Sequence, residues 1–151
     1  MAKGQVVFVV GHARWGKSRT LRAFAGGSRR LIQLRGIEFF IRRMSNDDRP
    51  KEFYDFIRQV RPSDKPGLIV AFCPKFQEPQ TRRCLERLRQ KGYKLFFWVL
   101  RQQYGDEQFV KPNEIATLRK YGRVRVYESG HREADIRARA LRIFIENTVL
   151  V

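Results

Sequence analysis

The stretch from residue 6 to residue 18, Val-Val-Phe-Val-Val-Gly-His-Ala-Arg-Trp-Gly-Lys-Ser, decides the fold. Its first five residues are all β-branched or aromatic, which predicts a buried strand. Its last eight place two glycines around four residues and end on Lys and Ser. A helix is predicted from Gly16 to Ala25, because Leu21, Phe24 and Ala25 lie at helical spacing. A buried strand that leads through such a loop into a helix indicates an α/β protein.

The spacing of the loop Gly11–Ser18 has a physical cause. Gly11 allows the chain to turn sharply off the strand, and Gly16 has no Cβ, so its backbone can approach an anion closely. Successive N–H groups form an anion-binding nest, and the helix that follows adds the positive end of its dipole. Lys17 is placed to neutralise β- and γ-phosphate charge, and the Ser18 hydroxyl is placed to bind Mg²⁺.

Through Gly11, Gly16, Lys17 and Ser18 the chain resembles the P-loop NTPase superfamily, with a Walker A motif at Gly11–Ser18. The resemblance implies a nucleoside triphosphate, ATP or another, together with Mg²⁺ held by Ser18, and a catalytic role for Lys17. Within the loop, Arg14 either adds charge near the phosphates or points outward, and Trp15 either stacks on a base or packs elsewhere. The expected cofactor-binding residues are Gly11, Arg14, Trp15, Gly16, Lys17, Ser18 and Arg19.

The rest of the chain alternates short apolar runs with amphipathic segments. Residues 31–41 form a second strand region, which Gly36 interrupts, so that one bent strand and two strands both remain open. Further strands are expected at 68–73, 95–100 and 123–126, the last as an edge strand, and helices near 53–60, 78–91, 112–121 and 132–147. In the last helix the apolar stripe is expected to contain Ile136, Ala140, Ile143 and Phe144. The pattern predicts a three-layer α/β sandwich with a mainly parallel sheet of about five strands, in one nucleotide-binding domain, 1–151.

One part of the superfamily's pattern is missing, because the strand 68–73 carries no acid at its end. Asp47 and Asp48 follow the second strand region, where P-loop kinases of small molecules place a carboxylate that accepts a proton from the attacking hydroxyl. The same pair also suits the capping of a helix that starts near Pro50. Gln103 follows the strand 95–100, either as a sensor of the γ-phosphate, as in the packaging and pumping ATPases, or as an ordinary loop residue.

The charge of the chain is its most unusual property: 32 Lys and Arg against 15 Asp and Glu give a formal net charge of +17. The usual reason for such an excess is a polyanionic partner, first of all nucleic acid, while an anionic membrane or a merely solvated basic surface remain alternatives. Guanidinium groups match phosphate oxygens with paired hydrogen bonds. The residues expected to bind nucleic acid are Arg82, Arg83, Arg87, Arg89, Arg123 and Arg125.

Cysteine and histidine usage points to an intracellular protein. Cys73 and Cys84 are not spaced as a metal clip or a redox pair, and their apolar surroundings predict buried free thiols in a reducing compartment. With two histidines, a His-rich metal site is excluded. No segment approaches the roughly 20 apolar residues of a membrane span, and the first residues do not resemble a signal peptide. A cytoplasmic location is expected.

Three functions are compatible with these features. The first is a nucleic-acid-linked NTPase that handles DNA or RNA, for which viral genome packaging by a ring of subunits, a homo-oligomer, is one setting. The second is a P-loop kinase acting on a nucleotide, a polynucleotide end or another hydroxyl substrate, which Asp47 and Asp48 favour. The third is a nucleotide-binding module without catalysis, which the missing strand acid favours.

Overall fold

The computed structural model describes residues 3–12, 16–100, 110–127 and 133–151. Strands and helices alternate along these ranges. The strands are β1 (Gly4–Val10), β2 (Leu31–Leu34), β3 (Ile37–Arg42), β4 (Gly67–Phe72), β5 (Tyr93–Leu100) and β6 (Arg123–Tyr127). The helices are α1 (Lys17–Ala25), α2 (Pro50–Gln59), α3 (Pro79–Gln90), α4 (Pro112–Tyr121) and α5 (Ala134–Phe144).

All six described strands form one sheet in the order β2-β3-β4-β1-β5-β6. Every neighbouring pair is parallel except β2 and β3. The central strands β1, β4 and β5 are almost completely buried, as expected of apolar strands that helices cover on both faces. The predicted α/β sandwich with a mainly parallel sheet is confirmed, with one strand more than the five expected.

The additional strand comes from a hairpin in the second strand region. Leu34 of β2 lies opposite Ile37 of β3, so only Arg35 and Gly36 connect the two antiparallel strands. Both residues have positive φ, 49° at Arg35 and 80° at Gly36, as a two-residue turn of this handedness requires. Of the two predictions for this region, two strands is therefore the correct one. Gly36 is one of the two residues of the turn that connects them.

The helices cover the two faces of the sheet. Strand order and right-handed crossovers place α1 and α5 on one face, where they pack together, and α2, α3 and α4 on the other. Aromatic contacts mark the second face: Phe53 of α2 packs on Phe72 at 6.4 Å between ring centroids, and Phe8 stacks on Phe97 at 5.0 Å. The core lies on both sides of β1, whose carboxyl end carries the glycine-rich loop.

The last helix differs from its prediction. Its inward side contains Arg137, Ala138, Leu141 and Phe144, whereas Ile143, assigned to the apolar stripe, is 60% exposed and Ile136 37%. Beyond α5 the chain continues as a π-helical turn, Ile145–Val149, in which Leu150 donates to the Ile145 carbonyl at 2.9 Å. Among the described helices, none has the length and apolar character needed to cross a membrane.

Both cysteines are buried free thiols, as predicted. Burial is the main influence on them and raises the pKa of Cys73 to about 11 and that of Cys84 to about 12. At neutral pH both side chains are therefore protonated and uncharged.

Candidate functional site

The Gly11–Ser18 loop leaves the carboxyl end of β1 in the middle of the sheet. The Gly11 N–H still donates to the Phe72 carbonyl at 3.1 Å, which extends the pairing with β4 by one residue. The chain connections on the two sides of β1 run in opposite directions, toward β3 on one side and toward β6 on the other. Open α/β sheets bind ligands at such topological switch points. Arg14 and Trp15 lie outside the described residues.

The start of α1 presents donors to this edge of the sheet. Gly16 is the N-cap residue, with φ +84° in the left-handed region that glycine favours, and no side chain caps the helix. Ser18 and Arg19 follow in the first turn as exposed side chains, and no acidic residue lies there. Within the part of the chain that the structure describes, no side chain caps the first N–H groups of the helix, which are the groups that water or an anion can bind.

Lys17 is buried inside the loop, with 6% of its surface exposed. Its Nζ donates to the Gly11 carbonyl at 2.5 Å and to the His12 carbonyl at 2.9 Å. Burial lowers the pKa of Lys17, while negative groups nearby, including Asp48 and Asp47, act in the opposite direction. Lys17 is therefore a buried cation that two backbone carbonyls hold next to the start of α1.

Arg137 of α5 is packed against the same loop. It is 7% exposed, and its Nη2 lies 2.8 Å from the position that a Cβ on Gly16 would take. Its Nε donates to Thr20 Oγ1 at 2.9 Å, and that hydroxyl donates to the Gly16 carbonyl at 2.8 Å. Burial lowers the pKa of Arg137. Arg137 does not belong to the apolar stripe predicted for this helix, and the structure shows it as a buried cation that supports Gly16.

The loop between β3 and α2 is fixed to the end of β4 by Asn46. The Asn46 side chain donates to the Cys73 carbonyl at 2.9 Å and accepts the Cys73 N–H at 2.7 Å. Asn46 is 1% exposed and Ser45 is fully buried. Through these two hydrogen bonds the Asn46 side chain pairs with the backbone of Cys73 as a neighbouring strand would. They set the position of Asp47 and Asp48 beside the Gly11–Ser18 loop.

The two aspartates have different surroundings. Asp48 Oδ2 accepts the Ser45 N–H and the Ser45 hydroxyl, each at 3.0 Å, and so closes the turn of residues 45–48. It does not cap α2, whose N-cap residue is Arg49 without a side-chain cap. Asp47 instead forms an ion pair with Lys75, at 2.5 Å between Nζ and Oδ1. Of the two acids, Asp47 is the one that lines the cleft beside the loop, whereas Asp48 is exposed to solvent.

Asp47 lines a cleft of about 480 Å³ beside the Gly11–Ser18 loop, with charged groups of both signs. His12 lies inside it: its Nε2 is 3.2 Å from Glu114 Oε1, and its Nδ1 is 3.8 Å from Cys73 Sγ. Glu114 also accepts the Lys111 N–H at 2.8 Å at the start of α4. The residues that line the cleft are His12, Asp47, Cys73, Lys75, Gln77, Lys111 and Glu114.

The position of the missing strand acid is occupied by Cys73, directly after β4. A thiol is a soft ligand, whereas Mg²⁺ prefers oxygen ligands. Two carboxylates reach the cleft from other elements, Asp47 from the β3–α2 loop and Glu114 from α4. Sequence reasoning missed Glu114 and the role of Asn46; the available signal for Glu114 was an acid in the first turn after Pro112. Among the described residues, no three His, Cys, Asp or Glu side chains are grouped for metal binding.

The arginines expected to bind nucleic acid do not form one surface. Tyr127 interacts with Arg137 of α5, and strand alternation puts Arg123 and Arg125 on that same face of β6. The other four lie on α3, on the opposite face; Arg83 and Arg87 are exposed there, and Arg82 stacks on Phe76 at 5.4 Å. Gln103 falls outside the described residues.

Comparisons with known proteins bear on the fold. The chain matches no protein-family model, and no curated protein matches its sequence. A solved structure is similar: the solution NMR structure of a de novo designed P-loop fold protein, PLOOP2X3_50, which shares 16% identity at a TM-score of 0.52. The similarity covers 97% of this chain and 96% of the designed one. At this identity the likeness concerns the fold alone: the chain has a P-loop-like α/β topology.

Proposed function

We propose that the chain binds a magnesium nucleoside triphosphate, ATP or another, on the Gly11–Ser18 loop and turns it over in connection with nucleic acid. The observation that carries the proposal is the Lys17 ammonium, desolvated at the switch point of the sheet and bonded to the carbonyls of Gly11 and His12. A triphosphate there would give the buried cation an anionic partner.

The residues of the site fit the phosphates and the metal. The uncapped first turn of α1 offers N–H donors, and Gly16 leaves no Cβ between backbone and ligand. Mg²⁺ would be held by the Ser18 hydroxyl, by phosphate oxygens and by water, and Asp47 is one of the carboxylates that line the neighbouring cleft. The bound ion would neutralise developing phosphate charge. Arg137 would keep Gly16 in its left-handed conformation while the loop holds the ligand.

The proposed link to nucleic acid is supported by charge. A net charge of +17 exceeds what a single nucleotide needs, and Arg83, Arg87 and Arg125 are exposed to solvent. Backbone phosphates of DNA or RNA would offset the repulsion among these groups. Work on a nucleic acid, with several copies of the chain assembled around it, is the setting that this charge favours.

The first experiment measures Mg-ATP binding and phosphate release, with and without single- and double-stranded DNA and RNA. Lys17→Ala is expected to lower nucleotide affinity at least 10-fold and to abolish release, because a buried charge-assisted contact to phosphate is lost. Lys51→Ala, on the exposed side of α2, is the matched control and should behave as the parent protein. Equal nucleotide binding by the Lys17 variant would contradict the proposal.

A second candidate, phosphoryl transfer to a hydroxyl, is favoured by Asp47. This carboxylate lines the cleft beside the loop, where it would accept a proton from an acceptor hydroxyl. Asp47 pairs with Lys75 in the cleft, whereas its neighbour Asp48 accepts from Ser45 within its own turn, so the two acids offer a comparison.

The aspartates are therefore tested as a pair. Asp47→Asn is expected to lower turnover by 100-fold or more with nucleotide binding retained, whereas Asp48→Asn should cost about 1–2 kcal/mol of unfolding free energy and leave turnover nearly unchanged. Product analysis separates the two reactions: a phosphorylated acceptor identifies a kinase, and inorganic phosphate alone identifies an NTPase. Binding without either product would leave a nucleotide-binding module.

A further inference from the structure

A second hollow, larger than the cleft at the loop, lies along the opposite edge of the sheet. It measures about 960 Å³ and runs past the first residues of the parallel strands, from Ile37 of β3 to Arg123 of β6. Five strand positions at about 4.8 Å spacing make it roughly 19 Å long. The seven residues of β1 separate it from the Gly11–Ser18 loop, a distance of about 20 Å.

The rim of this groove is strongly basic. Four exposed cations surround it, Lys3, Arg89, Lys94 and Arg123, and Glu38 is the one acidic residue among those that line it. Arg89 comes from α3 and Arg123 from β6, so the groove brings together members of two arginine groups that otherwise lie on different faces. Its charge is complementary to a polyanion.

Four glycines and one partly exposed ring contribute to the lining of the groove. Gly4, Gly36, Gly92 and Gly122 line it, and a Cβ at Gly122 would overlap the Leu95 carbonyl. The Tyr121 ring is partly exposed, and the Arg89 guanidinium lies 5.9 Å from its centre. Partly exposed aromatic rings and guanidinium groups are surfaces on which unpaired bases stack.

We propose that this groove at the amino edge of the sheet binds single-stranded nucleic acid, with phosphates on Lys3, Arg89, Lys94 and Arg123 and a base on Tyr121. The proposal rests on the nucleic-acid link proposed above and names its site. A single strand fits better than a duplex, because the groove is concave and the ring needs an unpaired base. Nucleotide and nucleic acid would then occupy opposite ends of β1 and bind together.

The test measures fluorescence anisotropy of a labelled single-stranded oligonucleotide as salt is varied. The triple variant Arg89→Gln, Lys94→Gln, Arg123→Gln is expected to reduce the slope of log affinity against log salt by about 2, or roughly 100-fold in affinity at 0.1 M salt. A triple variant of equal charge change on exposed residues elsewhere, Arg29→Gln, Lys51→Gln, Arg139→Gln, should lose much less. Tyr121→Ala should weaken binding about 10-fold, and Tyr121→Phe should not.

Three outcomes would overturn the inference: equal loss in the two triple variants, no effect of Tyr121→Ala, or preference for a duplex that the groove variant does not alter. Mg-ATP binding measured on the same proteins separates this proposal from the previous one. The groove variant should retain nucleotide binding, and Lys17→Ala should retain binding of the oligonucleotide. If the parent protein binds the oligonucleotide but no nucleotide, the groove proposal stands and the proposed nucleotide-dependent function is wrong.

Discussion

At the scale of single residues, Gly16 is constrained both by its backbone and by its neighbour. Its φ of +84° is unfavourable for other residues, and Arg137 Nη2 occupies the space where a Cβ would be. Gly26, at the end of α1, shares the positive φ, at +72°, with nothing within 4 Å of its Cβ position. Substitutions at the two glycines therefore distinguish the cost of the left-handed conformation from the cost of displacing Arg137.

Gly16→Ala and Gly26→Ala are each expected to cost about 1–2 kcal/mol of unfolding free energy from the left-handed conformation. The Gly16 variant should in addition displace Arg137 and lower Mg-ATP affinity, since the added methyl lies at the loop. Urea denaturation and nucleotide titration of both variants measure the two effects. Equal nucleotide affinity in the two variants would show that Arg137 and the Gly16 turn do not matter for binding.

At the scale of elements, the connection between the β3–α2 loop and the end of β4 depends on Asn46. Asn46→Ala removes two buried hydrogen bonds and leaves the backbone groups of Cys73 without those partners. A loss of about 2–4 kcal/mol is expected, measured by urea denaturation. Asn113→Ala removes one exposed bond, to the Glu114 N–H, and should cost less than about 1 kcal/mol. Similar costs would mean that the Asn46 bonds do not hold the loop.

Elements that depend on local pattern could be predicted from sequence. The strands β1 and β6 follow from apolar runs and alternation, and the helix α1 follows from its helical spacing. The sequence does not decide between one strand and a hairpin for β2 and β3, because Arg35-Gly36 is not among the usual two-residue turn sequences. Asn46, Glu114 and Arg137 could not be predicted, because their roles depend on Cys73, His12 and Gly16, which lie far from them in sequence.

At the scale of the whole molecule, the excess of positive charge opposes folding. Salt screens this repulsion, so raising NaCl from 0.05 to 0.5 M should increase the unfolding free energy by on the order of 1 kcal/mol. Urea is the suitable denaturant because it is uncharged. The groove variant, with three positive charges fewer, should show a smaller increase. Stability that falls with salt would mean that attractive ion pairs outweigh the repulsion.

Among the described strands, β6 ends the sheet on one side, and this has a consequence for how the molecule behaves at high concentration. An open strand edge is a template on which a second chain can add, and natural proteins discourage this with charged side chains along the edge. Arg123 and Arg125 alternate with valines on β6, so each approaching copy would bring its own arginines beside them. The same side chains would thus keep the protein monodisperse in free solution, and neutralising them would invite aggregation by sheet extension.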